Sequence, residues 1–168
     1  VIALAKGDAN NLIKKDYYDN SDIPKLSFLG IVGFIDPIRE EAIDAVKQCE
    51  KSGIKVIMIT GDHPLTANYI AKEIGISNNL ENVTTKDEIE EYLKLGYNEF
   101  DKFIKQKKVF TRTTPIQKYE IIESLKRSGE FVAVTGDGVN DAPAIKSANI
   151  GIAMGSGTDV AKETGVMI

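Results

Sequence analysis

The amino-acid sequence predicts an α/β fold, a parallel sheet flanked by helices. From Phe28 onward, apolar strand-like runs alternate with segments whose apolar residues recur at helical spacing, which is typical of strand–helix–strand units. Two of these runs, KVIMIT and FVAVT, are apolar at nearly every position, as expected for strands covered on both faces. Three helical segments end on a glycine, at Gly53, Gly75 and Gly129, and glycine commonly follows the last turn of a helix.

Local signals define where the elements begin. Pro37 is expected in the first turn of a helix, where its missing N–H costs nothing. Thr85 with Glu88, and Thr114 with Gln117, form capping-box pairs that predict two further helix starts. The predicted strands cover residues 26–34, 55–60, 108–112, 131–135, 149–154 and 166–168, and the predicted helices cover 37–53, 64–75, 85–93, 113–129 and 157–163.

Residues 77–107 interrupt this alternation. The segment is polar and less regular, and Phe100, Phe103 and Ile104 mark a second amphipathic turn after the helix that Thr85 begins. We therefore expect a peripheral helical excursion from the sheet.

Composition and charge narrow the classes of function. The formal net charge of −4 gives no positive field that would attract DNA or RNA, so no nucleic-acid partner is expected. A single cysteine, Cys49, excludes an internal disulfide. The longest apolar runs fall far short of the roughly 20 residues of a membrane-spanning helix, so this stretch of chain is expected to be soluble.

The stretch VAVTGDGVNDAPA, residues 132–144, carries the densest set of candidate ligands. Asp137, Asn140 and Asp141 follow a predicted buried strand, at the edge of a parallel sheet where ligands commonly bind. A helical turn there would direct all three side chains to one side. Their oxygens suit Mg²⁺, which usually binds through one or two carboxylates and a substrate phosphate. The alternative is a turn built from turn-forming residues, which would leave neighbouring carboxylates to repel each other.

A second Thr-Gly-Asp triplet, Thr60 to Asp62, ends the strand KVIMIT. The Thr60 hydroxyl can donate to a phosphoryl oxygen, and N–H groups at the start of the next helix can assist. His63, the single histidine, is expected to be a loop or capping residue rather than a general base, because Pro64 follows it at a helix start.

Two cations lie near the same predicted sheet edge. Lys118 is in the first turn of its helix, where a cation opposes the helix dipole, so neutralising a phosphate explains it better than stability does. Arg112 ends a strand and could reach a nucleotide, and an exposed strand-end arginine is the alternative. The sequence has no GxxxxGK[ST] phosphate loop and no serine or cysteine in an activating histidine arrangement.

Four motifs carry a family resemblance: FIDPIRE, MITGDHPLTA, VFTRTTPIQKYEII and VTGDGVNDAPAIKSANIGIAMGSGTDVAKETGVMI, in this order. The chain from Phe28 to Ile168 resembles the phosphorylation domain of P-type cation-transporting ATPases, members of the haloacid-dehalogenase-like superfamily. VIALAK is similar to the final strand of their nucleotide-binding domain. The resemblance implies that residues 1–27 are a remnant of that domain with a linker. It also implies that residues 28–168 are the phosphorylation domain, a Rossmann-like haloacid-dehalogenase-type parallel sheet with the excursion at 77–107.

The resemblance also implies roles for matching residues, with Mg²⁺ as cofactor and ATP as substrate. Lys118 resembles the lysine that neutralises the phosphoryl group, and Asp62 resembles a residue at the nucleotide hinge. The implied catalytic residues are Thr60, Lys118 and Asp137; the implied metal ligands are Asp137 and Asp141; the implied nucleotide or phosphate ligands are Arg39, Thr60, Gly61, Asp62, Arg112, Lys118 and Asn140.

One motif of the family is missing. The family's nucleophile is an aspartate in a DKTGT motif, which does not occur here, and Asp36 in IDPIR is no substitute. The resemblance therefore implies that the sheet is incomplete, because the strand carrying the nucleophile is missing, and that this chain alone forms no aspartyl phosphate. Open strand edges invite pairing. Val1 to Ala5, or a strand from another copy in a strand-swapped association, is expected to fill the place.

The implied parent protein is an ATP-driven cation pump. Its Mg²⁺-dependent transfer of the ATP γ-phosphoryl group to an aspartate, and hydrolysis of the product, would drive cation transport. The implied partners are the nucleotide-binding, actuator and transmembrane domains of the same protein, with this domain on the cytoplasmic side. The motifs resemble those of calcium and sodium/potassium pumps more than those of heavy-metal pumps. The alternatives are a soluble phosphatase of the same superfamily and a non-catalytic nucleotide-binding module.

Overall fold

The computed structural model describes residues 1–8, 16–34 and 37–168, so Asp36 lies outside the described residues. The chain divides into two compact units, Val1–Pro37 and Ile38–Ile168. In the first unit, β1 (Ile2–Gly7) pairs antiparallel with β2 (Leu26–Val32). The register places Ile2 opposite Val32, with a shift between Leu4 and Ala5.

Strand β2 corrects two predictions. The prediction that this strand opens the parallel sheet is wrong, because β2 pairs antiparallel with β1 inside the first unit. The prediction that Val1–Ala5 fills an open place in the sheet is also wrong, since Ile2 to Ala5 lie in that same pair. Apolar patterning identified β2 and the family resemblance implied β1, but neither could identify the partner of each strand. The structural boundary follows Pro37, and the assignment of residues 1–27 and 28–168 to two domains of a longer protein stays a prediction.

The second unit alternates strands and helices. Its strands are β3 (Met58–Ile59), β4 (Val83–Thr84), β5 (Val109–Phe110), β6 (Ala133–Gly136) and β7 (Ile150–Ala153). Its helices are α1 (Glu40–Lys51), α2 (Pro64–Glu73), α3 (Lys86–Lys94), α4 (Tyr97–Lys105), α5 (Pro115–Arg127), α6 (Ala142–Ser147) and α7 (Asp159–Thr164).

All strand pairs of this unit are parallel, in two ladders. One ladder has the order β3-β5-β4, and the other pairs β6 with β7. Within the described residues, no strand is hydrogen-bonded between β3 and β6. The predicted strand 166–168 is reduced to one bridge, between Met167 and Ile152. The predicted α/β class, with a parallel sheet flanked by helices, is confirmed.

Side chains of the first ladder alternate between two apolar clusters, as the twofold period of a strand requires. Val56, Met58 and Val109 pack with α1 and α2 on one face. On the other face, Ile59 and Phe110 join the larger cluster, which is built on α3, α4 and α5. Residues of the β6 segment also belong to this larger cluster: Val132 and Val134. The two ladders therefore rest on one layer of helices.

The segment 77–107 is helical as predicted but is not peripheral. It supplies β4, which pairs with β5, and its side chains Ile89, Phe100 and Ile104 are fully buried. The polar residues that made the segment resemble an excursion lie on the outer faces of α3 and α4, whose inner faces carry the apolar residues.

Helix starts agree with the capping predictions except at α1. Thr85 with Glu88, and Thr114 with Gln117, form the expected reciprocal capping boxes. Pro37 was expected inside the first turn of α1, but the helix begins only at Glu40, after an extended Arg39. Acidic residues suit the positive end of the helix dipole and arginine does not, so a start at Glu40 is electrostatically better.

Candidate functional site

Asp141 closes the turn that follows β6. One oxygen, Oδ1, lies 2.5 Å from the Nζ atom of Lys118 on α5. The other, Oδ2, accepts hydrogen bonds from the backbone N–H groups of Gly138 at 3.2 Å and Asp137 at 3.3 Å. The carboxylate thus links the amino-terminal turn of α5 to the loop of the GDGVND motif.

Two glycines allow this close packing. A Cβ atom on Gly136 would lie 2.6 Å from the Cβ atom of Asp141, so a side chain at 136 would push the carboxylate out of the turn. A Cβ atom on Gly157 would lie 2.9 Å from the carbonyl oxygen of Asp137. The same carbonyl accepts a hydrogen bond from the N–H of Thr158 at 2.8 Å. The GSGTD stretch therefore packs against the backbone of Asp137 in this turn. Sequence reasoning did not connect this stretch with the site.

The Lys118–Asp141 pair is mostly shielded from water. The side chains are 15% and 18% exposed, respectively. Burial by itself raises the pKa of the Asp141 carboxyl. The hydrogen bond and charge of Lys118, with the N–H groups of Gly138 and Asp137, outweigh burial and bring that pKa below its ordinary value of 3.8. Asp141 is therefore held as a carboxylate at neutral pH.

This pairing explains why a lysine can lie in the first turn of α5. Thr114 caps the helix, and the carbonyl of Thr114 accepts a hydrogen bond from the N–H of Lys118. The positive end of the helix disfavours a cation there. Asp141, which lies 23 residues away along the chain, supplies the compensating negative charge.

The Thr-Gly-Asp triplet from Thr60 to Asp62 forms its own turn at the end of β3. The hydroxyl oxygen of Thr60 accepts a hydrogen bond from the N–H of Asp62 at 3.1 Å. Gly61 and Asp62 are exposed. His63 is the N-cap of α2, and its Nδ1 atom accepts from the N–H of Leu65 at 3.3 Å, so the predicted capping role is confirmed.

The two turns are joined through the start of α5. Thr113 donates both its N–H and its hydroxyl group to the carbonyl of Thr60, each at 3.3 Å. The next residue, Thr114, caps the helix whose first turn carries Lys118. Thr60 is thus bonded to the start of α5 through Thr113, and Lys118 in the first turn of that helix is bonded to Asp141. Thr113 is the connecting residue that sequence reasoning missed.

Other predicted ligands lie outside this connected set. Arg39, Arg112 and Asn140 are exposed. Among the described residues, no hydrogen bond or ion pair joins their side chains to Thr60, Lys118 or Asp141. Arg112 is nevertheless unusual, because its backbone φ of 51° is in the left-handed region that non-glycine residues rarely adopt.

The donor set fits a magnesium ion shared with a substrate better than an all-protein metal cage. Within the described part of the chain, no three His, Cys, Asp or Glu side chains cluster to hold a metal. Asp137 is exposed, and its carboxylate makes no hydrogen bond or ion pair among those residues. Asp141 is already engaged by Lys118 and two N–H groups. One or two carboxylates completed by phosphate and water oxygens are what Mg²⁺ usually takes.

Comparisons with known proteins show which family the chain belongs to. A family model described as haloacid dehalogenase-like hydrolase matches residues 5–149. The sodium/potassium-transporting ATPase subunit alpha-4 of Homo sapiens is 44% identical over 175 residues, covering 89% of this chain and 17% of that protein. The calcium-transporting ATPase 1 of Lactococcus lactis is 45% identical over 169 residues, covering 100% of this chain and 19% of that protein.

A solved structure supports the fold. The catalytic domain of a CPx-ATPase, studied for conformational changes upon nucleotide binding, aligns with a TM-score of 0.53 at 24% identity. The alignment covers 83% of this chain and 40% of that one. The chain therefore has the same class of fold as this domain, while it spans only about a fifth of the length of the curated relatives.

The fold and the polar groups at its strand ends define an α/β protein with a candidate ligand site at the carboxyl edge of a parallel sheet. The matched family model covers most of the chain. The chain belongs to the haloacid dehalogenase-like hydrolase family, and most of its length is similar to P-type cation-transporting ATPases. None of the helices in the described ranges is both long and apolar enough to cross a membrane.

Replacing Lys118 with methionine should lower the free energy of unfolding by about 2 kcal/mol at pH 7, because the Asp141 carboxylate loses its cation. The folded-state pKa of Asp141 is lowered, so the stabilisation is complete above about 3.8 and is lost as pH falls through the folded value. The difference between wild type and Lys118→Met should therefore shrink below pH 4. Urea denaturation from pH 7 to pH 3 measures it.

Lys146→Met is the matched control, since it removes the same charge from an exposed site on α6. An equal loss in both variants, or a loss from Lys118→Met that does not change with pH, would contradict a stabilising pair.

Proposed function

We propose that this chain is the carboxyl-terminal part of the phosphorylation domain of an ATP-driven cation pump. In the full protein, the γ-phosphoryl group of ATP would pass to an aspartate outside this sequence and then be hydrolysed, coupled to cation transport. The observation that carries the proposal is the shielded Lys118–Asp141 pair beside the exposed Asp137, connected to Thr60 through the start of α5. The similarity to sodium/potassium and calcium pumps supports it.

Each group at the strand ends would have a distinct task. Lys118 neutralises a phosphoryl oxygen, moving from Asp141 to the incoming anion without leaving the shielded corner. The Thr60 hydroxyl donates to a second oxygen, and Asp137 and Asp141 are the proposed magnesium ligands. When bound, Mg²⁺ supplies positive charge that reduces repulsion between the phosphoryl group and the attacking carboxylate. Such transfer depends on positioning and charge neutralisation more than on a general base.

The nucleotide would lie outside this corner. Gly61, Asp62, Arg39, Arg112 and Asn140 are its proposed ligands, and all are exposed. The left-handed φ of Arg112 supports a functional side chain there, because glycine would meet the same backbone geometry without strain.

We propose that the strand with the nucleophilic aspartate pairs between β3 and β6, which are not hydrogen-bonded to each other within the described residues. Both strands end at the candidate site, and the helix layer beneath them is shared. By this proposal the chain alone forms no aspartyl phosphate, and a strand from another copy could pair there in isolation. The nucleotide-binding, actuator and transmembrane domains would be parts of the same protein, with this domain on the cytoplasmic side.

Inorganic phosphate should bind this chain at least about tenfold more tightly with Mg²⁺ than without it, because the phosphate and Asp137 repel each other unless a cation lies between them. Isothermal titration calorimetry with and without the metal measures the difference. Asp137→Asn should abolish the dependence on Mg²⁺, whereas Asp44→Asn, an exposed aspartate on α1, should preserve it.

Measurements of ATP binding and of phosphatase turnover separate the two alternative functions. ATP binding that is insensitive to Mg²⁺, with no binding of phosphate, would favour a non-catalytic nucleotide module. Turnover of p-nitrophenyl phosphate by this chain alone would favour a phosphatase of the same family and would contradict the missing nucleophile.

In the full-length protein, Asp137→Asn should slow formation of the phosphoenzyme from ATP at least about a hundredfold, since charge stabilisation at the transferred group is lost. Rapid-quench measurement with radiolabelled ATP gives the rate, and Asp44→Asn is again the control. A rate close to that of wild type would remove Asp137 from the proposed mechanism.

A further inference from the structure

The end of β5 makes two matching contacts with its neighbours. Thr111 donates its N–H and its hydroxyl group to the carbonyl of Thr84 at the end of β4, at 2.9 and 2.8 Å. Thr113 donates its N–H and its hydroxyl group to the carbonyl of Thr60 at the end of β3. The residue between them, Arg112, has the left-handed backbone.

Arg112 is an inserted residue in an otherwise regular ladder. The N–H of Thr60 donates to the carbonyl of Phe110. In a regular parallel pair, the carbonyl of Thr60 would then accept from the N–H two residues beyond Phe110, which is that of Arg112. It accepts instead from Thr113, so Arg112 is an extra residue of the kind found in β-bulges, which often lie beside functional sites.

This insertion changes the strand toward which the Thr113 N–H group is directed. Without it, the backbone N–H of Thr113 would be directed toward β4, as that of Thr111 is, because successive residues of a strand alternate in direction. With it, both donors of Thr113 reach Thr60, and the next residue already caps α5. The spacing between the Thr60 turn and the Lys118 side chain therefore depends on a single residue.

We propose that Thr113 is a positioning residue, which holds the Thr60 turn against the first turn of α5 so that Thr60 and Lys118 address one phosphoryl group together. The proposal rests on the proposed function for its ligand, and its structural part stands on the hydrogen bonds alone. Thr113 touches neither phosphate nor metal in this account and acts through Thr60.

The first test is hydrogen exchange of backbone amides, followed by NMR. Thr113→Val removes one of the two donors to Thr60, so the Thr60 N–H at the end of the ladder should exchange about fivefold faster. The Thr111 N–H, bonded to the other neighbour, is the internal reference and should not change. Thr113→Ser keeps the hydroxyl group and should restore slow exchange at Thr60.

The second test is the affinity for inorganic phosphate in the presence of Mg²⁺. Thr113→Val should weaken it about fivefold, and Thr113→Ser should remain within about twofold of wild type. Thr111→Val, which removes the equivalent hydroxyl group on the β4 side, should leave the affinity unchanged. A general loss of packing would weaken binding in both valine variants.

The outcomes separate the two proposals. If wild type binds no phosphate with Mg²⁺, the proposed function fails, and the exchange rates alone decide whether Thr113 holds the turn. If Thr60 exchanges no faster in Thr113→Val, or equally fast in Thr113→Val and Thr113→Ser, the positioning role is overturned. Faster exchange with unchanged phosphate affinity would also overturn it, because the site would not depend on the contact.

Discussion

The ion pair between Lys118 and Asp141 is the interaction on which the carboxyl edge of this sheet depends. The pair places a cation in the first turn of α5, where the helix dipole disfavours it, and a carboxylate in a tight turn. The attraction between the two charges compensates for both unfavourable positions. Removing these two charges from water costs free energy. Two backbone N–H groups that donate to Asp141 offset part of that cost. In the proposed function, this lysine and this carboxylate are the groups that would meet the phosphoryl group and Mg²⁺.

The parallel sheet explains how distant segments meet at this edge. Strands of one ladder that run in the same direction end on the same side, so Thr113 reaches Thr60 although the two residues lie 53 positions apart in sequence. The two ladders share the helix layer that includes α5. The site is therefore assembled on a common support even though β3 and β6 are not bonded to each other within the described residues.

Sequence reasoning succeeded where the signal is local. The capping boxes of α3 and α5, the N-cap role of His63 and the strand at FVAVT follow from spacings of a few residues, and all are present. It failed where partners are distant. The antiparallel pairing of β2 and the pairing of β4 with β5 depend on contacts that apolar patterning does not specify.

The candidate site shows the same limit. Residue type and position made Asp137, Asp141, Lys118 and Thr60 candidates, which stay a prediction, but did not predict the ion pair across 23 residues. The insertion at Arg112 could not have been predicted either. A glycine in the sequence indicates where a left-handed backbone can occur, whereas an arginine does not. Nothing in the sequence distinguishes Thr113, which connects the two turns, from other threonines; only its hydrogen bonds to Thr60 do.

An NMR titration of the Asp141 side-chain carboxyl carbon tests the central interaction most directly. In wild type its midpoint should lie below the ordinary aspartate value of 3.8, and in Lys118→Met it should rise, since burial then acts without its main counterweight. A wild-type midpoint at or above 3.8, unchanged by loss of the lysine, would mean that the two side chains do not pair in solution and would remove the basis of the site.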